Sequence, residues 1–355
     1  MPKRTDISKI LVIGGGPTVI GQAGELDVAA TQACRVLKDL GYTVIAVNAN
    51  PLATMTDSDL ADITYIEPLD QTSLKTIIAT EQPDALLPLV GGQTALSLAY
   101  RLHEDRVLAD AGLKLMGGGI DTIRRSEDRQ AFEETARQAG VDTPNGQVAA
   151  TVEKAETAAG QLGYPVAVRP AYCAGGHGAG MVYNVEELRA VAAEGLSASL
   201  IGQIMVSPAL NGWQEFVLVM ARDVTGVISP LACIENIDPV GIHGGDAIAV
   251  TPPQTLSEKV KAAMIAMACR LLEGVGLIGT ASVRLAHDPA TGHLLVLSMR
   301  AGVDRSAGLT IFGGGVAAGA LCAQLSVGLT LEELALNLDP GLAGDPAQPV
   351  VVKMP

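Results

Sequence analysis

The chain has 355 residues, with 24 Lys plus Arg against 38 Asp plus Glu, for a net charge of −14. That balance excludes a phosphate-backbone binder, and aromatic residues at 3% are too few for the stacking platforms of single-strand binders. Hydrophobic residues make up 48% and no uninterrupted apolar run approaches ~18 residues, so the expectation is a globular chain of two or three domains with no membrane span.

Residues 9–14 (KILVIG) are a continuous apolar run ending in glycines, the pattern of a buried parallel strand entering a βα turn. A helix is predicted from Asp27 to Leu40, stopped by Gly41. Strands follow at 42–48, 62–66 and 84–90, with a helix near 72–80 between the last two. This β/α alternation indicates a small doubly wound α/β domain closing near Gly118. A charged helix over 120–139 and an amphipathic helix over 151–162 open the second region. Strands at 166–172 and 180–185 then flank a glycine-rich loop, and a helix covers 186–195. Strand-rich sequence follows at 215–221, 226–235, 246–252, 281–286 and 293–299, with a turn at Asp288–Gly292. Thr255 with Glu258 reads as a capping box for a helix that buries Val260, Met264, Met267 and Leu271. Thr330 with Glu333 reads as a second box, opening the last helix. The five cysteines (34, 173, 233, 269 and 322) are widely spaced and lack a C-x-x-C pair. They read as reduced thiols, Cys269 in the core, of a cytoplasmic protein without a signal segment.

Two glycine clusters invite a ligand. The first, Gly14 to Gln22, lacks the last glycine of a dinucleotide fingerprint, where Val19 stands, and the second strand ends in Asn48 instead of an acid. Gln22 also replaces the lysine of a Walker loop. This turn is either a tight strand-to-helix connection or a degenerate ligand site. The second cluster, Ala174–Gly180, is longer than a plain hairpin needs and can offer several backbone N–H groups to a polyphosphate, with Arg169 just upstream.

The segments GGGPTVIGQAGELD (14–27), VNANPLATMTD (47–57), LVGGQTAL (89–96), SEDRQAF (126–132), VRPAYCAGGHGAG (168–180), NGWQEF (211–216) and IENIDPVGIHGGD (234–246) run in order along the chain. In these motifs the sequence resembles the N-terminal, carboxyphosphate-forming half of the carbamoyl-phosphate synthetase large subunit. The resemblance implies a small pre-ATP-grasp domain (1–118) followed by an ATP-grasp fold (119–355) whose lid covers about 128–212. The length fits one such two-part unit, without the second half of a complete synthetase. ATP or ADP is the implied ligand. Arg129 and Arg169 match phosphate-holding arginines, Gly175 and Gly176 the lid glycines, and Leu210 a backbone contact to adenine. Glu215 matches the acid on the ribose hydroxyls, and Gly241, Ile242 and His243 a further nucleotide-contacting segment. Pro208 stands where the family uses a glutamate carbonyl toward adenine, and it retains that carbonyl.

The metal-binding base departs from the family. A glutamine, a glutamate and an asparagine hold the metals there; Arg284, Ser298 and Arg300 stand at the matching positions, three positive charges above the family pattern. Gly302 replaces a substrate-binding arginine, whereas Arg305 and Ser306 are retained. Guanidinium offers no lone pair to a hard cation, so these residues argue against magnesium. The leading expectation is a pseudoenzyme that binds a nucleotide or another anion, in a cationic pocket of Arg129, Arg169, Arg284, Arg300 and Arg305. The last three are also the candidates for any catalytic contact, and no metal ligand is assigned. The alternatives are an active ATP-dependent bicarbonate-phosphorylating ligase unit, with Glu215 or Asp246 recruiting the metal, and a structural subunit that binds no nucleotide. Pairing of a strand arginine with Glu235 is the purely structural alternative for Arg284 and Arg300. Implied partners are a second copy of the chain or a glutaminase-type subunit, with neither nucleic acid nor membrane.

Overall fold

The structure, a computed structural model, describes residues 4–17, 23–173, 176–243, 247–336 and 349–354. Gly175, Asp246 and residues 18–22 of the first glycine turn lie outside the described residues.

The first sheet is parallel and built from β1 (Lys9–Ile13), β2 (Thr43–Asn48), β3 (Ile63–Ile66), β4 (Ala85–Leu87) and β5 (Lys114–Leu115), in the order β3-β2-β1-β4-β5. Its central strands are buried, which is why they read as unbroken apolar runs. Helices Ala23–Asp39, Gln71–Glu81 and Gly92–Glu104 connect it. Gly41 closes the first helix with a positive φ of 82°. Asp84 joins β1 to β4: one carboxylate oxygen accepts from Ser8 N (2.7 Å), Ser8 Oγ (2.8 Å) and Lys9 N (2.9 Å). Those donors, the Lys9 backbone first, hold the Asp84 carboxyl below its ordinary value. Its stabilisation is therefore present above the ordinary carboxylate range and is lost as pH falls through the lowered value. Urea unfolding of Asp84→Asn is expected to show a deficit of about 1–2 kcal/mol at neutral pH that closes in acid.

A small antiparallel sheet follows: β6 (Gln147–Ala149), β7 (Val166–Pro170), β8 (Gly180–Val182) and β9 (Ile204–Pro208), in the order β6-β9-β7-β8. Helices Val152–Leu162 and Val185–Ala198 pack on it. The expected hairpin is present, with Val166, Ala167 and Val168 of β7 opposite Val182, Met181 and Gly180 of β8. Not every glycine of its loop is there for a ligand. A Cβ on Gly178 would lie 2.6 Å from the Gly195 Cα, so these two glycines let the loop rest on the helix behind it.

The third sheet comprises β10 (Gln214–Arg222), β11 (Ile228–Asn236), β12 (Ala249–Thr251), β13 (Gly279–His287), β14 (Leu294–Ala301) and β15 (Val351–Lys353), in the order β14-β13-β10-β11-β12-β15. Alternation divides its faces. Phe216, Leu218 and Met220 join Met264 and Leu271 of helix Glu258–Val275 in the main core. Val217, Val219 and Ala221 face the other way, where they join Leu309, Leu321 and Leu325 in a second core. The Glu215 end of that face stays open and forms the floor of a cavity. Among the described residues no single helix is long and apolar enough to cross a membrane.

Several local expectations need correction. The charged stretch 120–139 is two helices, Ile120–Glu127 and Arg129–Gln138. Asp128 breaks it by adopting extended backbone and capping the second helix, its side chain accepting from Ala131 N at 3.0 Å. Ser257, not Thr255, caps helix Glu258–Val275; the Thr255 hydroxyl donates to Glu235 instead. Val260 is only half-buried in that helix, as is Cys269, whereas Cys34, Cys233 and Cys322 are buried. The Thr330–Glu333 box forms, with Thr330 N donating to the Glu333 carboxylate at 2.9 Å. It leads into a turn over 331–335 and not into a helix within the described residues.

Candidate functional site

The open end of the third sheet, the β7–β8 loop and the end of the first helical pair enclose a cavity of about 500 Å³. Register places the floor residues. Arg284 on β13 is opposite Val217 of β10 and Ser298 of β14, and Ser282 is opposite Arg300. Arg284, Ser298, Arg300 and Ser282 therefore share the face that carries Glu215 and Val217.

Arg284 Nη2 lies 2.7 Å from Glu215 Oε1, and the same oxygen accepts from Asn236 Nδ2 at 2.7 Å. Glu215 is buried at 5% exposure, so its charge is compensated within the protein. The alternative pairing of Arg284 with Glu235 is incorrect. Glu235 is opposite Phe216, on the other face of the sheet, where it accepts from the backbone of Gln254 (2.6 Å) and Thr255 (3.0 Å).

Arg169 reaches the floor from β7. Its Nη1 donates to the Leu297 carbonyl at 3.2 Å. That carbonyl is available because β14 bulges there: Ser298 pairs with Arg284 but Val296 pairs with Leu285, leaving Leu297 outside the ladder. Burial, then the neighbouring guanidiniums of Arg129 and Arg284, bring the Arg169 pKa down to about 10. Arg129, the first residue of its helix, donates from Nε (3.2 Å) and Nη2 (2.9 Å) to the Pro170 carbonyl at the start of the loop. Burial is also the main cause lowering the Arg129 pKa. Arg300 Nε lies 3.9 Å from Glu127 Oε1. Glu127 is buried, which raises its carboxyl pKa against the opposing pull of Arg300 and Arg129.

Of the expected site residues, Arg129, Arg169, Gly176, Leu210, Glu215, Gly241, His243, Arg284, Ser298, Arg300 and Arg305 all line this cavity. Ile242 does not line it and is 41% exposed. The described lining also contains Gln93, Glu127, Ser282 and Asp304, which sequence reasoning missed. Gln93 follows the C-terminal end of a parallel strand, the usual ligand side of such sheets, and this was the available signal. Three buried polar atoms of the lining have no hydrogen-bond partner: Gln93 Oε1, Glu127 Oε1 and Arg169 Nε. The lining also has apolar side chains, among them Leu210 and Val240, which pack beside Leu295 and Leu297. A cavity lined by both guanidiniums and apolar side chains suits a ligand that joins a planar apolar group to phosphates.

The donors at positions 284, 298 and 300 do not fit the metal ions of the resembled chemistry. Two are guanidiniums, one already paired with the nearest carboxylate, and the third is a neutral hydroxyl. Among the described residues no group of three or more His, Cys, Asp or Glu side chains is arranged to hold a metal.

Comparison with known proteins gives two family matches. Residues 6–125 match the carbamoyl phosphate synthase preATP-grasp domain, and residues 128–334 match the carbamoyl-phosphate synthase L chain, ATP binding domain. Over 335 residues, 94% of the chain, it is 43% identical to the carbamoyl phosphate synthase large chain of Archaeoglobus fulgidus and covers 31% of that protein. It is equally 43% identical, over 94% of the chain, to the N-terminal section of that large chain in Aquifex aeolicus and covers 60% of it. The chain thus spans 31% to 60% of the length of these relatives. Among solved structures it resembles the biotin carboxylase domain of Hydrogenobacter thermophilus 2-oxoglutarate carboxylase, in complex with MgADP, ADP and bicarbonate. The TM-score is 0.73 at 20% identity, covering 92% of this chain and 71% of that one. That likeness supports the ATP-grasp fold.

Proposed function

We propose, because this chain belongs to the carbamoyl phosphate synthase large-chain family, that it binds ATP in the cavity and serves as an ATP-dependent, bicarbonate-phosphorylating ligase unit. The observation that carries this reading is the convergence of Arg129, Arg169, Arg284, Arg300 and Arg305 on a single cavity that is also lined by Leu210, Val240 and Leu297. In this reading Leu210 and Val240 flank the base, Glu215 faces the ribose, and the arginines hold the phosphates beneath the Gly176–Gly180 end of the loop. The names of the relatives favour a working ligase unit over a pseudoenzyme.

A second reading, nucleotide binding without turnover, rests on one specific observation, the Arg284–Glu215 pair at a position the resemblance gives to a metal ligand. Release of phosphate from ATP, with and without bicarbonate, separates the two. The ligase reading predicts bicarbonate-dependent release that Arg169→Ala lowers by about 100-fold, the loss expected when a buried charged contact to the transferring group is removed. Tight ATP binding with no such release supports the second reading. Absence of binding supports a structural subunit.

A further inference from the structure

The described lining of the cavity holds five arginines against three carboxylates, Glu127, Glu215 and Asp304. The carboxylates do not neutralise the floor evenly. Glu215 serves Arg284 and Glu127 stands by Arg300, while Arg169 makes its bond to a neutral carbonyl. Arg169 Nε is moreover buried without a hydrogen-bond partner. Burial and the neighbouring guanidiniums outweigh the pull of Glu133 and Glu215 and disfavour the charged form of Arg169, so an anion brought among them relieves a repulsion already present.

We propose that this cavity takes the nucleoside polyphosphate in its metal-free form, with the guanidiniums of Arg284 and Arg300 supplying the counter-charge that a divalent cation would otherwise bring. The inference rests on the nucleotide-binding reading above. Its physical basis is the charge of the two ligand forms. Metal-free ATP carries two more negative charges than its magnesium complex, and a cavity of net positive charge favours the more anionic form. The cation would also have to enter beside two guanidiniums, on a floor whose nearest carboxylate, Glu215, is held by Arg284 and Asn236. Guanidinium is suited to the substitution because its planar donors engage two phosphate oxygens at once. Ser298 lies opposite Arg284 and, with Ser282 opposite Arg300, keeps the floor free of a further acid.

Calorimetric titration of the whole chain with ATP and with ADP, once in EDTA and once in excess magnesium chloride, tests this. Binding in EDTA at least as tight as in magnesium is expected. Arg300→Gln should weaken binding in EDTA about tenfold, the loss of one charged hydrogen bond, and Arg300→Lys should recover most of it. Ser298→Glu, which leaves both arginines in place, should also weaken binding in EDTA and shift the preference toward magnesium. Binding that requires magnesium overturns the proposal and leaves the nucleotide reading intact. An Arg300→Gln variant that binds like the parent overturns the part given to Arg300. No binding under either condition overturns both the proposal and the reading beneath it.

Discussion

A Gly302→Arg variant is expected to unfold about 3–5 kcal/mol more easily than the parent, even though an arginine stands at the matching family position. Gly302 follows β14 with φ of 86°, in the left-handed region, and its N–H donates to Thr280 O at 2.7 Å. A Cβ there would sit 2.0 Å from the backbone oxygen of Leu89. That same oxygen accepts from Val303 N at 2.7 Å, so the end of β14 is seated directly on the loop after β4. The parallel domain and the third sheet meet at this backbone contact, which has no room for a side chain. Chemical denaturation measures the loss. A variant as stable as the parent would show that the turn rearranges freely.

Removing the Arg284 guanidinium is the second large effect. Arg284→Met is expected to cost about 3 kcal/mol, because Glu215 would be left buried with Asn236 as its remaining partner. Adding Glu215→Gln to Arg284→Met should recover most of that loss, since the orphaned charge is then gone. The double-mutant cycle isolates the pair. Additive losses would mean that Arg284 acts through packing alone. The cycle bears on function as well, because Glu215 is the residue proposed to face the ribose.

What could be read from the chain depended on the range of the interaction. The buried strands β1, β2 and β10 announced themselves as apolar runs, and Gly41 marked its helix end, because those signals are local. The division of residues 120–139 at Asp128 was also local, but a capping aspartate inside a charged stretch looks like any other surface acid. The arginines were identified by resemblance; the register of β10, β13 and β14 puts Arg284 and Arg300 on one face, and packing of separate elements brings Arg129, Arg169 and Arg305 to the same cavity. Register is also what decided the partner of Arg284. Glu235 and Glu215 both sit in strands beside apolar neighbours, and only the pairing of Glu235 with Phe216 sends it to the opposite face. The bulge that exposes the Leu297 carbonyl to Arg169 has no glycine or proline to announce it. Glu127 was missed for a similar reason: it ends one helix, and its proximity to Arg300 joins residues far apart in the chain.

The net charge of −14 and the cationic cavity are compatible because the acids lie mainly elsewhere on the molecule. Counting charges over the whole chain carried no information about a site whose five arginines come from four separate stretches of sequence. Ile242, expected in the site, shows the converse limit. It adjoins two lining residues, Gly241 and His243, yet it does not line the cavity.

One cavity is proposed to hold the nucleotide, with its phosphates among the arginines. A crystal structure of the chain with ADP tests it most directly. The diphosphate is expected within hydrogen-bond distance of Arg169 and at least one of Arg284 and Arg300, with the adenine beside Leu210. An ADP bound elsewhere, or bound here with its phosphates turned away from the arginines, would contradict it.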